Sequence, residues 1–197
     1  HGPWPPPPRR DPSNRVSGRL EAIVLGERLF YEPRLSGTGS VLCATCHVPY
    51  RRFQDARARA FGLEETERNT PTLLDVGFYP RWGWEGARDS LWSQSIRPLL
   101  EAREMRSSPS RIGKFVRTYA AADYQSAFGR PPSVSDADIL SDVGKALAAY
   151  QETLVSARTS FDAFRDALLR GDARATAAYP PAALRGRVLD AATGAPL

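Results

Sequence analysis

The chain has 197 residues, of which 42% are hydrophobic and 25% are charged. This length and composition are typical of a folded globular protein of one domain or slightly more, and they argue against a disordered chain. No apolar run approaches the roughly 18 residues that cross a bilayer, so we predict no transmembrane segment. The formal net charge is +5, but no compact basic run interleaved with aromatic residues predicts nucleic-acid binding.

The N-terminal residues 1–16 are predicted to form an extended, Pro-rich arm. The opening sequence His-Gly-Pro-Trp-Pro-Pro-Pro-Pro is incompatible with a helix and favours the polyproline II conformation. The sequence starts at His1 without a Met, so we interpret it as a mature, processed chain without a signal peptide.

The first predicted helix covers residues 17–31. Its apolar side chains recur at helical spacing, and Pro33 ends it because proline has no amide hydrogen for the helical ladder. A Gly- and Ser-rich loop at residues 36–40 follows the helix. The side chains predicted to form the buried face of the helix are Leu20, Ile23, Val24 and Phe30.

Cys43, Cys46 and His47 form a C-x-x-C-H motif, the pattern that attaches a c-type haem. The thiols become thioethers to the haem vinyl groups, and the imidazole becomes the proximal iron ligand. The alternatives are a thioredoxin-like redox pair, which has no ligating His, and half of a zinc site, which needs further ligands nearby. The chain has only 2 Cys and 2 His, and this motif uses three of them. We predict one covalently bound haem c and, because that attachment is normally completed outside the cytoplasm, a periplasmic or otherwise exported protein.

The segment after the motif, residues 48–80, is predicted to be irregular because proline and glycine interrupt it repeatedly. A covalent haem would supply the apolar core for so loop-rich a stretch. No pattern typical of a strand occurs, so the predicted fold class is mostly α: a c-type cytochrome domain with long loops around one covalent haem. Further helices are predicted at residues 90–100, 109–121, 135–156, 161–170 and 181–191.

The clearest apolar faces belong to the helices at 109–121 and 135–156. Ser135 is predicted to cap the longer helix, with Asp138 three residues later. The predicted faces are Ile112, Phe115, Val116 and Tyr119 in the first helix, and Ile139, Val143, Leu147, Tyr150 and Leu154 in the second.

Segments on both sides of the haem motif carry a family resemblance. They are LGERLFYEPRLS at 25–36, RNTPTLL at 68–74, WGWEG at 82–86, QSIRP at 94–98, EM at 104–105 and AAYQETLVS at 148–156. Taken together, they resemble the bacterial di-haem cytochrome c peroxidases and their MauG-like relatives. The resemblance covers about residues 19–188 and implies the peroxidatic, N-terminal haem domain of that family.

The resemblance assigns a distal, catalytic pair to Gln94 and Glu104, which are ten residues apart here as in the family. A carboxylate over the open iron face would take a proton from hydrogen peroxide and return it to the leaving oxygen. Burial beside a haem would raise its pKa and suit that role. The alternative is that Glu104 is a surface residue in a charged loop with Arg103 and Arg106.

Other residues are candidates for contacts with the haem. Trp84 matches the tryptophan that lies between two haems in the family, where it relays electrons; otherwise it packs against the haem. Arg51 is predicted to pair with a haem propionate, unless it belongs to an exposed basic pair. Asn69 resembles a calcium ligand of the family, but the rest of that site has no match in this sequence, so calcium is not predicted.

Two side chains of this sequence are candidates for the sixth ligand of the iron. Met105 is the only Met, and a thioether ligand would suit electron transfer. His1 is the only imidazole left once His47 is used. The family also often places a distal His after the haem motif, and residues 48–69 contain none.

The second C-x-x-C-H of the family has no counterpart before Leu197. The expected organisation is therefore an arm at 1–16, a haem domain at 17–132, and a helical extension at 133–197 that resembles the start of a truncated second domain.

Two functions remain open from the sequence. The first is a periplasmic mono-haem c-type cytochrome on a cytochrome c peroxidase scaffold. It would reduce hydrogen peroxide, or transfer electrons at its haem, with a cytochrome or cupredoxin-like donor or a subunit that carries another haem. The second is a non-catalytic electron-transfer subunit of a larger redox complex. A haem-based sensor is a third and weaker alternative.

Overall fold

The computed structural model describes residues 11–179. These residues fold into helices joined by long loops, and within them the only β-type pairing is at two isolated bridges. The predicted mostly α fold is confirmed. Helices α1 to α6 lie in a compact unit of residues 11–156, and α7 and α8 lie in a second unit that includes residues 157–179. The helices are α1 Leu20–Phe30, α2 Cys43–Cys46, α3 Leu91–Leu100, α4 Pro109–Tyr119, α5 Ala121–Phe128, α6 Asp136–Gln151, α7 Ser160–Arg170 and α8 Ala173–Ala177.

Helix α6 is the centre of the larger unit and packs against α1, α3 and α4. It begins as predicted, because the Ser135 hydroxyl accepts a hydrogen bond from the Asp138 amide at 3.3 Å. It ends at Gln151, so Leu154 lies beyond the helix rather than on its buried face. The predicted positions that are buried are Ile139, Val143, Leu147 and Tyr150.

Helix α1 is shorter than predicted, and its predicted buried face is right at Phe30 and Ile23 but wrong at two positions. Leu20 is 69% exposed and Val24 is 54% exposed. The inward face follows from the crossing with α6, where a Cβ placed on Gly26 would lie 2.0 Å from the carbonyl oxygen of Ala146. Because the two helices approach so closely there, the side of α1 that carries Gly26 must face α6. The buried residues of α1 are Ala22, Leu25, Gly26, Leu29 and Phe30.

The helix predicted at 109–121 is present as α4, and it ends two residues earlier than predicted. Helix α4 starts at Pro109 behind the cap of Ser108 and ends at Tyr119, and the unpredicted α5 follows. Tyr119 is not on the buried face, because it is 55% exposed and its ring lies under the guanidinium of Arg34 at 4.6 Å. This cation–π contact stabilises the Tyr119 ring in its exposed position at the surface.

The boundary predicted at residue 132 differs from the compact unit, which continues to residue 156. The reason is α6, whose buried face supplies much of the core of that unit. The predicted helix at 181–191 and most of the Pro-rich arm, with His1, lie outside the described residues. Among residues 11–179, no helix combines the length and the apolarity required to cross a membrane.

Candidate haem-binding site

A single helical turn, α2, carries the C-x-x-C-H motif. Cys43 and Cys46 are three residues apart, so their thiols project from the same side of the turn. The amide of His47 donates a hydrogen bond to the carbonyl of Cys43 at 2.9 Å, which closes the turn. Both thiols and the imidazole therefore originate from one compact piece of backbone, as attachment of one macrocycle requires.

The imidazole of His47 is oriented so that one of its ring nitrogens can serve as a metal ligand. Its Nδ1 lies 3.0 Å from the carbonyl oxygen of Phe53. Because a carbonyl only accepts, Nδ1 carries the hydrogen, and the lone pair of the neutral ring is on Nε2. Burial lowers the pKa of His47 and so favours this neutral form, and the backbone contacts of the ring with Phe53 and Pro71 oppose the shift only in part. The arrangement is the one that proximal haem histidines need.

The loop that supplies the Phe53 carbonyl holds an unusual backbone conformation. Arg52 has φ 59° and Phe53 has φ 56°, which is the left-handed region that residues with a bulky side chain rarely adopt. The amide of Phe53 donates to the carbonyl of Val48 at 2.9 Å, so the chain folds back tightly behind the imidazole. Strain of this kind persists where the surrounding structure enforces it, often at functional sites.

The two thiols are unpaired and suited to attachment rather than to redox exchange. Burial raises the pKa of Cys43 to about 12 and that of Cys46 to about 11, so both are protonated at neutral pH. A redox-active C-x-x-C pair instead needs a lowered thiol pKa. Within residues 11–179, no group of three or more Cys, His, Asp or Glu residues could hold a zinc ion. Both alternatives for the motif are therefore disfavoured.

Glu104 is brought towards the cysteine turn through a short loop. The Sγ of Cys46 donates to the carbonyl of Phe61 at 3.4 Å, and the following amide of Leu63 donates to the carbonyl of Glu104 at 3.1 Å. A Cβ placed on Gly62 would lie 2.8 Å from the Cα of Glu104, so only glycine allows this approach. The carboxylate is near enough to contribute to the raised pKa of both thiols.

The environment of Glu104 differs from that of an ordinary surface carboxylate. Its side chain is only 29% exposed and lies 3.7 Å from the guanidinium of Arg97. Burial raises the pKa of Glu104, and the Arg97 charge opposes this only in part. The neighbouring arginines, Arg103 and Arg106, pair with other glutamates. A carboxyl group with a raised pKa holds its proton more readily than an ordinary glutamate, as a group that exchanges protons with a substrate requires.

Gln94, on α3, presents an unsatisfied polar atom. Its Oε1 is buried and has no hydrogen-bond partner. A Cβ on Gly83 would lie 3.2 Å from that oxygen, so Gln94 faces the WGWEG segment across a space that glycine leaves open. A buried acceptor without a donor is costly, so this atom is suited to a ligand that brings an O–H or N–H group.

Of the three other candidate haem-contact residues, two are exposed and one is buried. Trp84 is 55% exposed, and its Nε1 donates to the carbonyl of Asn69 at 3.1 Å. Arg51 is exposed and donates to the carbonyl of Asp55 at 3.1 Å. Met105 is 3% exposed and belongs to the hydrophobic core. The propionate, relay and sixth-ligand roles of these side chains stay predictions.

Two groups that support the site were missed by sequence reasoning. The Phe53 carbonyl orients His47, but a backbone carbonyl has no signature in a sequence. The ring of Phe30 lies 6.5 Å from that of His47. Phe30 appeared in the pattern only as one apolar position of a helix.

Comparison with known proteins finds one matching family and several related sequences. Residues 20–173 match the sequence profile of the family described as di-haem cytochrome c peroxidase. The chain is 37% identical over 147 residues to the methylamine utilization protein MauG of Methylorubrum extorquens, covering 72% of this chain and 40% of that protein. It is 32% identical over 166 residues to the cytochrome-c peroxidase IdrP1 of a Pseudomonas species, covering 81% and 41%.

A solved structure agrees with this relationship. A MauG-like protein associated with microbial copper homeostasis superposes with a TM-score of 0.68 at 30% identity, covering 88% of this chain and 51% of that one. The chain thus spans between 40% and 51% of the length of these relatives.

Proposed function

Because the chain belongs to the di-haem cytochrome c peroxidase family, we propose that it binds one haem c covalently and reduces hydrogen peroxide there with electrons from another redox protein. The observation that carries this proposal is the position of Glu104, half-buried and linked through one short loop to the cysteine turn. The single C-x-x-C-H motif accounts for one haem in this chain.

The proximal residues hold the cofactor. Cys43 and Cys46 would form the thioethers, and His47 would supply Nε2 to the iron. The haem, when bound, supplies the iron that exchanges electrons with peroxide. The hydrogen bond from His47 Nδ1 to the Phe53 carbonyl fixes the ring and increases the basicity of the ligand nitrogen.

The distal residues handle the proton and orient the substrate. A carboxylate oxygen of Glu104 takes a proton from hydrogen peroxide and returns it to the departing oxygen, which then leaves as water. Arg97 holds the carboxylate in place through their ion pair. The Oε1 of Gln94 accepts a hydrogen bond from a peroxide O–H, which satisfies the buried acceptor.

We also infer the location and the donor from this chemistry. Covalent attachment of haem c is normally completed outside the cytoplasm, which supports a periplasmic or otherwise exported protein. The electron donor would be a cytochrome, a cupredoxin-like protein, or a subunit that carries another haem. Arg51, exposed beside the haem motif, is available to pair with a propionate.

The test is the absorption spectrum of the haem-loaded protein before and after addition of peroxide. We expect a high-spin ferric spectrum whose Soret band shifts with peroxide. Glu104→Gln should slow that shift by about 10²–10⁴-fold, because an amide cannot shuttle the proton. The matched control is Glu67→Gln, which removes a carboxylate that is 85% exposed and should leave the rate unchanged.

The same measurement can contradict the proposal. An unchanged rate in Glu104→Gln would refute its acid–base role. A low-spin spectrum of the methionine type, indifferent to peroxide, would refute peroxide reduction. It would instead favour the second candidate, an electron-transfer subunit of a larger redox complex.

A further inference from the structure

A chain of aromatic rings leads from the proximal histidine to the surface. The ring of Phe30 is 1% exposed and lies 6.5 Å from that of His47, measured between centroids. On its other sides, the same ring lies 5.3 Å from Tyr150 and 5.2 Å from Tyr31. Phe30 therefore joins the haem ligand to two tyrosines through contacts between neighbouring rings.

The two tyrosines lie on either side of Phe30 and reach from the core to solvent. Tyr150 is 7% exposed, whereas Tyr31 is 42% exposed. Burial first, and then the nearby Tyr31 phenol, raises the pKa of Tyr150, so its phenol stays protonated. Such a buried phenol can lose an electron without leaving a charge behind only if its proton departs as well, and Tyr31 is placed to receive that proton.

The crossing of α1 and α6 holds this pair in place. Tyr31 directly follows α1, and Tyr150 lies in the last turn of α6. At the crossing, a Cβ placed on Gly26 would lie 2.9 Å from the Cβ of Tyr150, so the two backbones are in close contact beside the pair. A backbone contact this close limits how far the two tyrosines can move apart.

We propose that Tyr150 and Tyr31 are a redox-active pair that supplies an electron through Phe30 when hydrogen peroxide oxidises the haem site. This inference rests on the proposed function and extends it to residues on the proximal side. The relay argued from the sequence resemblance was Trp84, whereas the structure assigns this second route to the α1–α6 crossing.

The proposed step draws its two electrons from two sources. Reduction of one hydrogen peroxide to two waters consumes two electrons and two protons. Tyr150 supplies one electron and the haem c supplies the other. The phenolic proton of Tyr150 moves to the hydroxyl oxygen of Tyr31, which releases its own proton to water at its exposed side. A one-electron redox protein then returns two electrons in turn: one restores the Tyr150 phenol together with a proton from water, and the other restores the haem.

The test is electron paramagnetic resonance of the haem-loaded protein, frozen after mixing with hydrogen peroxide. We expect a tyrosyl radical signal whose hyperfine structure narrows when the tyrosines are ring-deuterated. Tyr150→Phe should abolish this signal, and Tyr31→Phe should weaken it because the proton acceptor is lost. The matched control is Tyr119→Phe, which removes a phenol that is 55% exposed on α4 and should leave the signal intact.

The Soret band, recorded in parallel, separates this inference from the proposed function. A Soret response to peroxide without a tyrosyl signal, or with an equal signal in Tyr150→Phe, would overturn the redox pair alone. No Soret response would overturn both, because the pair would then have no oxidant. If Tyr150→Phe does not retain haem, a nitroso spin trap is added to the wild-type protein together with peroxide. Mass spectrometry then identifies which residues carry the trapped radical. Adducts on Tyr31 or Tyr150 support the pair, and adducts confined to other residues refute it.

Discussion

The substitution Gly26→Ala tests the crossing of α1 and α6 most directly. The added Cβ would lie 2.0 Å from the carbonyl oxygen of Ala146. Ordinary contact begins at 3.4 Å, so going from 2.0 to 3.4 Å the helices must separate by about 1.4 Å. Because the obstructing atom is backbone, neither helix can relieve the clash by rotating a side chain.

The expected cost can be worked from two opposing effects. Overpacking a core costs about 1–3 kcal/mol, and sometimes more. Replacing glycine by alanine inside a helix returns about 1 kcal/mol through helix propensity. Because the obstructing atom is backbone, the overpacking cost lies at the upper end of this range, about 3 kcal/mol, and we expect Gly26→Ala to lower the free energy of unfolding by about 2 kcal/mol net. In a protein of this size, that corresponds to a fall in Tm of about 4–8 °C.

The matched control is Gly113→Ala in α4. Its Cβ would lie 2.1 Å from an Asp136 carboxylate oxygen, a distance similar to that at Gly26. There the obstructing atom is the end of a side chain that can rotate away, with loss only of a surface ion pair to Arg117. We expect the Tm of Gly113→Ala to stay close to that of the wild type.

The assay is urea unfolding of the haem-loaded protein followed by circular dichroism, with thermal unfolding as a second measure. If Gly26→Ala proves as stable as Gly113→Ala, the close approach of α1 and α6 is wrong. The geometry of the Tyr31–Tyr150 pair would then lose its support as well.

Two further predictions concern backbone strain and pH. Ala56 is exposed and has φ 60°, so Ala56→Gly should raise the free energy of unfolding by up to about 1 kcal/mol in urea unfolding, and a decrease would show that this residue is unstrained. The hydrogen bond from Arg34 lowers the pKa of Glu32 below 4.5, so the folded state favours the ionised carboxylate. That stabilisation is present above pH 4.5 and is lost as the pH falls through the folded-state pKa. Tm measured against pH should therefore fall less steeply on acidification in Glu32→Gln, and a slope equal to that of the wild type would contradict this reasoning.

Sequence reasoning succeeded where the signal is local. The motif of Cys43, Cys46 and His47 lies within five consecutive residues, and the structure folds that stretch as one helical turn with His47 at its end. The cap at Ser135 is likewise a contact across three residues, and it forms as predicted. In both cases the interacting groups are neighbours in the chain, so the pattern itself contains the geometry.

It failed where the partner lies far away in the chain. The buried face of α1 was wrong at Leu20 and Val24, because the residue that turns the helix towards α6 is Gly26, and a glycine contributes no hydrophobic side chain to a periodicity. Its role appears only against Ala146. Tyr119 was expected to be buried for its apolar ring, but the guanidinium of Arg34 binds that ring at the surface.

The sequence by itself determined the C-x-x-C-H motif and the mostly helical class of the fold. These properties follow from spacing over a few residues and from hydrophobic periodicity. Only the tertiary structure decided which nitrogen of His47 lies against the backbone, since that depends on the carbonyl of Phe53. It also decided that Tyr31 and Tyr150 meet, because long-range contacts depend on which helices can approach closely. That approach is set by the small residues at a crossing, which no local pattern records.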